Sequence, residues 1–339
     1  MTRGDHDGTD AALRRLLEEA VADVQPHDRL IEIRRRTRQR ARPRRRWLAV
    51  VTGAGVATAA VVGGAVLIGQ LGPDDQGSPP VARATPTRAT PVYFVGDAPG
   101  GPRLYREFQA LPAASGTEAL TEALARLEAD GGPDDPDYRT VWPAGSFAGV
   151  EVADGRVVVT LDRPALQRPA RVSRGQARLG IQQVVYTADA GLGEALPVSF
   201  QYDGTDATRV LGRAVSGPVP RAPQDEVVAP VNISDPSEGS AVDADYLVAR
   251  GTVTSASRRV DWLLQTLDPA AGSDVITGHT RARPVEDGSA VEGGRLQWEV
   301  RIDVTGLGPG SYLLTAQTHP EGGNVLTGVA TDTRTFVVR

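Results

Sequence analysis

The chain has no cysteine and no lysine: all 37 of its basic residues are arginine. Without cysteine there is no disulfide, thiolate metal site or thiol nucleophile, so the folded parts are held by packing alone. Aromatics are scarce, at 5%. Histidine is scarcer still: His6, His27, His279 and His319, with no two at metal-ligand spacing. No Gly-x-Ser-x-Gly elbow is present to seat a serine nucleophile. Gly306-Leu307-Gly308-Pro309-Gly310 has the glycine density of a phosphate loop. A strand pattern, Tyr312-Leu313-Leu314, follows it where a helix would be needed, so it reads as a turn. Asp134, Asp135 and Asp137 form an acidic loop without the spacing or terminal glutamate of a calcium loop. Sequence order gives no reason to choose a carboxylate pair for glycan cleavage. The sequence therefore names no catalytic residue, no cofactor-binding residue and no metal ligand, and the expectation is a protein that is not an enzyme.

What the chain does have is one uncharged run, residues 47–69, starting Trp47-Leu48-Ala49-Val50-Val51. As a helix rising about 1.5 Å per residue it spans roughly 35 Å, enough to cross a hydrocarbon core of about 30 Å. Residues 29–46, just before it, hold ten arginines and one acid, Glu32, a net of +9 in a chain of −5. Basic flanks resist translocation, which puts the N-terminus in the cytoplasm and the bulk of the chain outside. Ala82-Arg83-Ala84 fits a signal-peptidase site, so a cleaved leader is the rival reading. The apolar run is longer than a signal core, and its basic flank begins far from Met1, which favours an uncleaved anchor. Gly55, Ala59 and Gly63 recur at four-residue spacing and would let two such helices approach closely.

The head, residues 1–46, carries one amphipathic pattern. Leu13, Leu16, Leu17, Ala20, Val21 and Val24 fall on one helical stripe, with Glu18, Glu19 and Asp23 off it. A lone helix of this length is marginal in water and needs a surface. Leu13, Leu16, Leu17, Val21 and Val24 are thus the candidate face for a cytoplasmic partner. After the apolar run, residues 70–91 are rich in proline and threonine and read as an extended spacer.

Residues 92–215 mix strand and helix patterns. Strands are expected at 92–95 and 103–108, then a helix with Ser115 and Glu118 in capping-box spacing and Leu120, Ala123, Leu124 and Leu127 buried. Asp154-Gly155 predicts a two-residue hairpin turn pairing Val152 with Val157 and Val150 with Val159. A second helix starts at Ser173 with Gln176 as its capping partner, and strands follow at 198–202 and 208–211. This is an α+β pattern. A proline-rich stretch, 216–230, marks a boundary. Beyond it, strand-like runs recur at 246–253, 259–267, 274–279, 295–304, 311–318 and 333–338, the pattern of an antiparallel sandwich. Trp262 and Trp298 alternate with polar neighbours and are expected in its core.

The order of these pieces resembles the GerMN domain of spore-germination and sporulation proteins. Val-Tyr-Phe-Val at 92–95, Leu-Tyr-Arg-Glu at 104–107, Pro143-Ala144-Gly145-Ser146, Val-Glu-Val-Ala-Asp-Gly at 150–155, Gln-Val-Val-Tyr-Thr at 183–187 and Val-Ser-Phe-Gln-Tyr-Asp-Gly at 198–204 carry the likeness. Residues 231–339 resemble the immunoglobulin-like domain that follows GerMN domains in bacterial proteins. Ile233-Ser234-Asp235-Pro236, Asp261-Trp262 and Gly308-Pro309-Gly310-Ser311-Tyr312 carry that likeness. The resemblance implies extracytoplasmic, non-enzymatic modules associated with cell-envelope assemblies, with no catalytic set to carry over.

The expectation is a cell-membrane protein with one spanning helix, a cytoplasmic head, an α+β GerMN-like domain and an all-β immunoglobulin-like sandwich outside. It needs no cofactor. Its partners are the membrane, envelope proteins or peptidoglycan, and copies of itself, but not nucleic acid, and its role is scaffolding or assembly of the sporulation type. The alternative is transmembrane signalling, with the head helix holding a cytoplasmic regulator such as a sigma factor.

Overall fold

The computed structural model describes residues 87–112, 115–243, 245–268, 275–284, 295–318 and 329–339. All lie in one compact unit, Ser78–Arg339. The head with its stripe, the apolar run 47–69 and the spacer up to residue 86 lie outside the described residues. Among the described residues no helix is long and apolar enough to cross a membrane.

Two long strands open the first module. β1 (Thr87–Ala98) and β2 (Gly101–Pro112) pair antiparallel along their whole length. The expected spacer therefore ends sooner, because residues 87–91 already lie in the ladder opposite 108–112. Pro91 is tolerated because its missing N–H would face the side of β1 away from β2. Two residues on, the Tyr93 N–H points to that side and donates to Thr187 Oγ1 at 3.1 Å.

Helix α1 (Gly116–Leu127) follows and buries Leu120, Ala123, Leu124 and Leu127 on the predicted face. Ser115 stands at its N-cap but makes no side-chain capping bond. The Glu128 carboxylate, just past its end, accepts from the N–H groups of Gly145, Ser146 and Phe147 at 2.8–3.1 Å. That contact aims the chain, after β3 (Tyr138–Arg139), into the hairpin of β4 (Phe147–Ala153) and β5 (Arg156–Leu161). Asp154 and Gly155 turn it with φ of 52° and 67°, and Val152 and Val150 face Val157 and Val159 as the spacing predicts.

Helix α2 (Arg174–Leu192) starts on the reciprocal Ser173–Gln176 capping box and ends on Gly193 in the left-handed region. It is the central helix, packed against both α1 and β1, so burial spreads well beyond one stripe. β6 (Val198–Tyr202) then runs parallel to β5, and β7 (Thr205–Asp206) folds back on it. The expected strand at 208–211 is cut short. β8 (Arg209–Val210) reverses at Leu211-Gly212 into β9 (Arg213–Ala214), with Leu211 at φ 49°. Leu211 is fully buried and packs closely on Gly180 of α2. Burial of a leucine, worth about 1.5–3 kcal/mol, offsets its backbone strain of roughly 1–2 kcal/mol.

The proline-rich stretch 216–230 is not a free linker. Val219 bridges Val198, Tyr186 Oη donates to Ala222 O at 2.7 Å, and the Ala229 N–H donates to Leu104 O at 2.8 Å. After the short helix α3 (Gln224–Val227), Val227, Val228 and Ala229 belong to the first hydrophobic core, while Val231 already belongs to the second. Only Pro230 separates them. Proline composition predicts an extended backbone, and an extended backbone serves equally well as a strap bound to a surface.

The second module has two sheets over one core. β10 (Val231–Asp235), β12 (Tyr246–Val253) and β15 (Leu296–Asp303) form one, in the order β10-β12-β15. The other comprises β11 (Ser240–Val242), β13 (Arg259–Thr266), β14 (Val275–Arg281), β16 (Gly310–Thr318) and β17 (Thr331–Val338), in the order β11-β17-β16-β13-β14. The six expected runs are all strands; β10 and β11 were not anticipated as strands. Trp298 is buried as expected, but Trp262 is only half-buried and packs on the edge of the core. Its strand neighbours the edge strand β14, so the ring is covered on fewer sides.

Candidate functional site

The candidate partner face, Leu13, Leu16, Leu17, Val21 and Val24, lies outside the described residues. His279 sits exposed on β14. Among the described residues no group of three or more His, Asp or Glu is placed to hold a metal ion. The acidic loop instead forms part of a lock between the modules. Glu107 of β2 accepts the N–H groups of Asp134 and Asp135 at 3.1 and 2.9 Å, and Asp135 Oδ1 accepts that of Asp137 at 2.8 Å. This folds the loop so that Asp135, only 1% exposed, faces the second module.

Arg334 of β17, 2% exposed, enters that loop. Its Nη1 donates to Asp135 Oδ2 and, at 2.9 Å, to Tyr138 Oη; its Nη2 donates to Ile233 O at 3.1 Å. Asp332, two residues earlier on the same face, lies 3.7 Å from the guanidinium. It accepts from Tyr138 Oη and the Ile233 N–H, each at 2.5 Å, and from Asn232 Nδ2 at 3.2 Å. One cation thus faces two buried carboxylates. Burial pushes Asp135 up to about 7 against the pull of Arg334, and it pushes Asp332 up as well. Burial also works against the Arg334 charge, but Asp332, Tyr138 and Asp135 outweigh it and hold its pKa above the usual value. Burial and the neighbouring Asp332 raise the Tyr138 phenol too. Tyr105 stacks on Tyr138 with ring centroids 4.9 Å apart, across Gly96, where a side chain would strike the Tyr105 ring.

A cleft of about 510 Å³ opens along the same junction, on the side of α2. Tyr93, Tyr186, Asp189, Glu194 and Arg221 line it from the first module, and Asn232, Thr252 and Arg295 from the second. Arg106 of β2 stands between this cleft and a shallower groove of about 760 Å³. The groove also contains Arg250, Arg281, Arg283 and Glu299. Asp189 pairs with Arg221 at 3.6 Å and Arg250 with Glu299 at 2.8 Å. Arg295 is 8% exposed, and its guanidinium donates to Ala229 O at 2.9 Å and to Thr252 Oγ1, with no carboxylate partner among the described residues. Burial pushes its pKa down to about 10, with the Tyr93 phenol acting against this and Arg106 adding to it. Arg106 donates Nη2 to Ser234 Oγ at 2.9 Å and lies 5.0 Å from the Phe108 ring centroid, but its buried Nε has no acceptor among the described residues.

Neither the lock nor the cleft was named from sequence. The acidic loop is visible in the sequence, yet Arg334 is 199 residues beyond Asp135, and only the folded topology joins them. Arg106 and Arg295 sit in strand patterns among many other arginines. The one local signal is that Arg106 alternates with Leu104 and Phe108, placing a charge on a face with large apolar neighbours.

Residues 91–208 match the family described as Germane, sporulation and spore germination. No curated protein matches the chain. Solved structures resembling it include the tandem GerMN domains of the sporulation protein GerM from Bacillus subtilis, at 16% identity and a TM-score of 0.30. That alignment covers 64% of this chain, which spans 61% of the length of that structure. An endo-beta-1,4-mannanase from Thermotoga petrophila aligns at 13% identity and a TM-score of 0.23, over 52% of this chain and 37% of that one. Segment 91–208 is a Germane domain.

Proposed function

We propose that the chain is a membrane-anchored, non-catalytic binding protein of the cell envelope. In this reading residues 1–46 are cytoplasmic, residues 47–69 span the membrane, and the folded unit is outside, where it scaffolds envelope proteins or peptidoglycan. The observation that carries it is the lock at Arg334. It joins the Germane domain to the β-module through buried hydrogen bonds and charges, and a composite surface held in one arrangement suits a scaffold. The second module is of the immunoglobulin-like type. Three features support this: β12 and β15 share one sheet while β13, β16 and β17 share the other, Trp262 lies on β13 beside the central strand β16, and Tyr312 at the start of β16 donates its hydroxyl to Gly308 O at 2.8 Å, as a tyrosine corner does.

Crosslinking in intact cells, followed by identification of what is attached to the folded unit, tests the reading. Envelope proteins or wall fragments are the expected catch. A folded unit digested only after cell lysis would show it to be inside and end the proposal. The apolar stripe at 13–24 supports the second reading, a regulator held by the head. Capture of a sigma factor that is lost in Leu16→Glu/Val21→Glu would favour it.

A further inference from the structure

We infer that the junction cleft and the groove beside it form one binding track for an anionic wall polymer, its repeating phosphate or carboxylate groups held by Arg295, Arg106, Arg283 and Arg281. This deepens the envelope-binding reading above and rests on it. The two depressions meet at Arg106 and Thr252, so they form one continuous surface. Five of its arginines come from the β-module or β2 and one from the strap, and the two whose carboxylate partners lie on the same surface, Arg221 and Arg250, are already neutralised. The remaining four have no ion pair among the described residues.

Arg295 is the strongest indication. A guanidinium removed from water normally brings a carboxylate with it, because the uncompensated charge is costly. Here the burial is tolerated with two carbonyls and a hydroxyl for partners, while Nη1 makes no bond to any described residue. Arg106 repeats the pattern with its unpaired Nε. An arginine fork matches the oxygens of phosphate and carboxylate equally well. Asn232 offers a side-chain amide and Thr252 a hydroxyl on the same wall. Among the described residues Glu194 is the one lining carboxylate outside an ion pair, and it stands at the α2 end of the cleft, which directs the anion towards the β-module. The groove continues along exposed Arg281 and Arg283, and a linear polymer can follow it where a small ion could not use both ends.

The test is retention of the full-length protein, in mild detergent, on purified cell wall. One sample of wall is intact and the other is stripped of phosphodiester-linked polymers by hydrofluoric acid. The wild type is expected to bind, and to be released as salt rises from about 50 mM to about 300 mM. Loss of binding on stripped wall assigns the phosphate polymer as the source of the anion, and retained binding assigns the carboxylates of peptidoglycan. Arg281→Gln/Arg283→Gln changes only exposed side chains and should weaken retention several-fold; adding Arg106→Gln should bring the loss to about tenfold or more. A control with the same charge change away from the track, Arg163→Gln/Arg171→Gln/Arg174→Gln, should bind as the wild type does. Equal retention of the track and control variants overturns the track and leaves the envelope reading standing. No retention of the wild type on either wall also overturns it, and crosslinks to envelope proteins would then carry the broader reading alone.

Discussion

At the scale of single residues, Arg334 has the least freedom to change. Among the described residues its guanidinium is the only cation set among Asp135, Asp332 and the Tyr138 hydroxyl. Arg334→Met leaves two buried carboxylates with no counter-charge, and chemical denaturation should show a loss of about 3–5 kcal/mol. The same cluster makes stability depend on pH. Asp135 binds its proton more tightly in the folded protein, up to about 7, than in the unfolded chain, near 3.8. Its stabilising contribution is therefore complete below pH 4 and is lost as pH rises towards 7. Going from pH 5 to pH 8 should cost the wild type about 2–4 kcal/mol more than it costs Asp135→Asn, which keeps an acceptor for Arg334 but cannot ionise. Denaturation curves of both proteins at the two pH values measure the difference, and parallel losses would remove Asp135 as the cause.

At the scale of elements, two tryptophans each lie across a glycine on the neighbouring strand. Trp298 of β15 faces Gly251 of β12, and Trp262 of β13 faces Gly278 of β14. A β-carbon at 251 would come 1.9 Å from Asn232 O as well as 2.7 Å from the Trp298 ring, whereas at 278 its three nearest neighbours would all be atoms of the Trp262 ring, the first at 2.4 Å. Asn232 lies on β10, which is tied to the lock, and its backbone cannot yield without breaking the β10–β12 ladder. Trp262 is half-buried beside an edge strand and can tilt outward. Gly251→Ala should thus cost at least about 3 kcal/mol, and Gly278→Ala about 1–2 kcal/mol, by thermal or urea melts. These contacts also show what could be read from sequence. The Asp154-Gly155 hairpin, the Ser173 cap and the alternation around Trp298 are local, and each predicted its element correctly. The turn at Leu211 was hidden, since a leucine at positive φ is chosen by a pocket formed elsewhere. β11 was hidden as well, because three residues hold no periodicity and its ladder depends on Phe336, Val337 and Val338 at the far end of the chain. The candidate site was legible only as separate arginines and acids, since no spacing rule brings 106 to 295 or 135 to 334.

At the scale of the whole folded unit, the strap decides how the two modules behave. Ala229 is buried in the first core and Val231 in the second, with Pro230 alone between them. Arg295 donates to Ala229 O and, more weakly at 3.5 Å, to Pro230 O, so a side chain of the β-module grips the crossing point itself. Asn232 Nδ2 reaches back to Arg106 O at 3.0 Å, and Thr333 Oγ1 donates to Asp137 at 2.7 Å. Parts joined this tightly lose their contacts together, because opening either module exposes the buried charges of the lock. Calorimetry should therefore show the two modules melting in one transition, with calorimetric and van't Hoff enthalpies equal. Inserting Gly-Ser-Gly-Ser between Ala229 and Pro230 leaves both cores intact but lowers the effective concentration of one module at the other. The insertion should split the single transition into two, and it should expose the strap to proteolysis that the native protein resists despite its proline-rich composition. Two separate transitions in the unaltered protein would show that the modules are joined only by the chain.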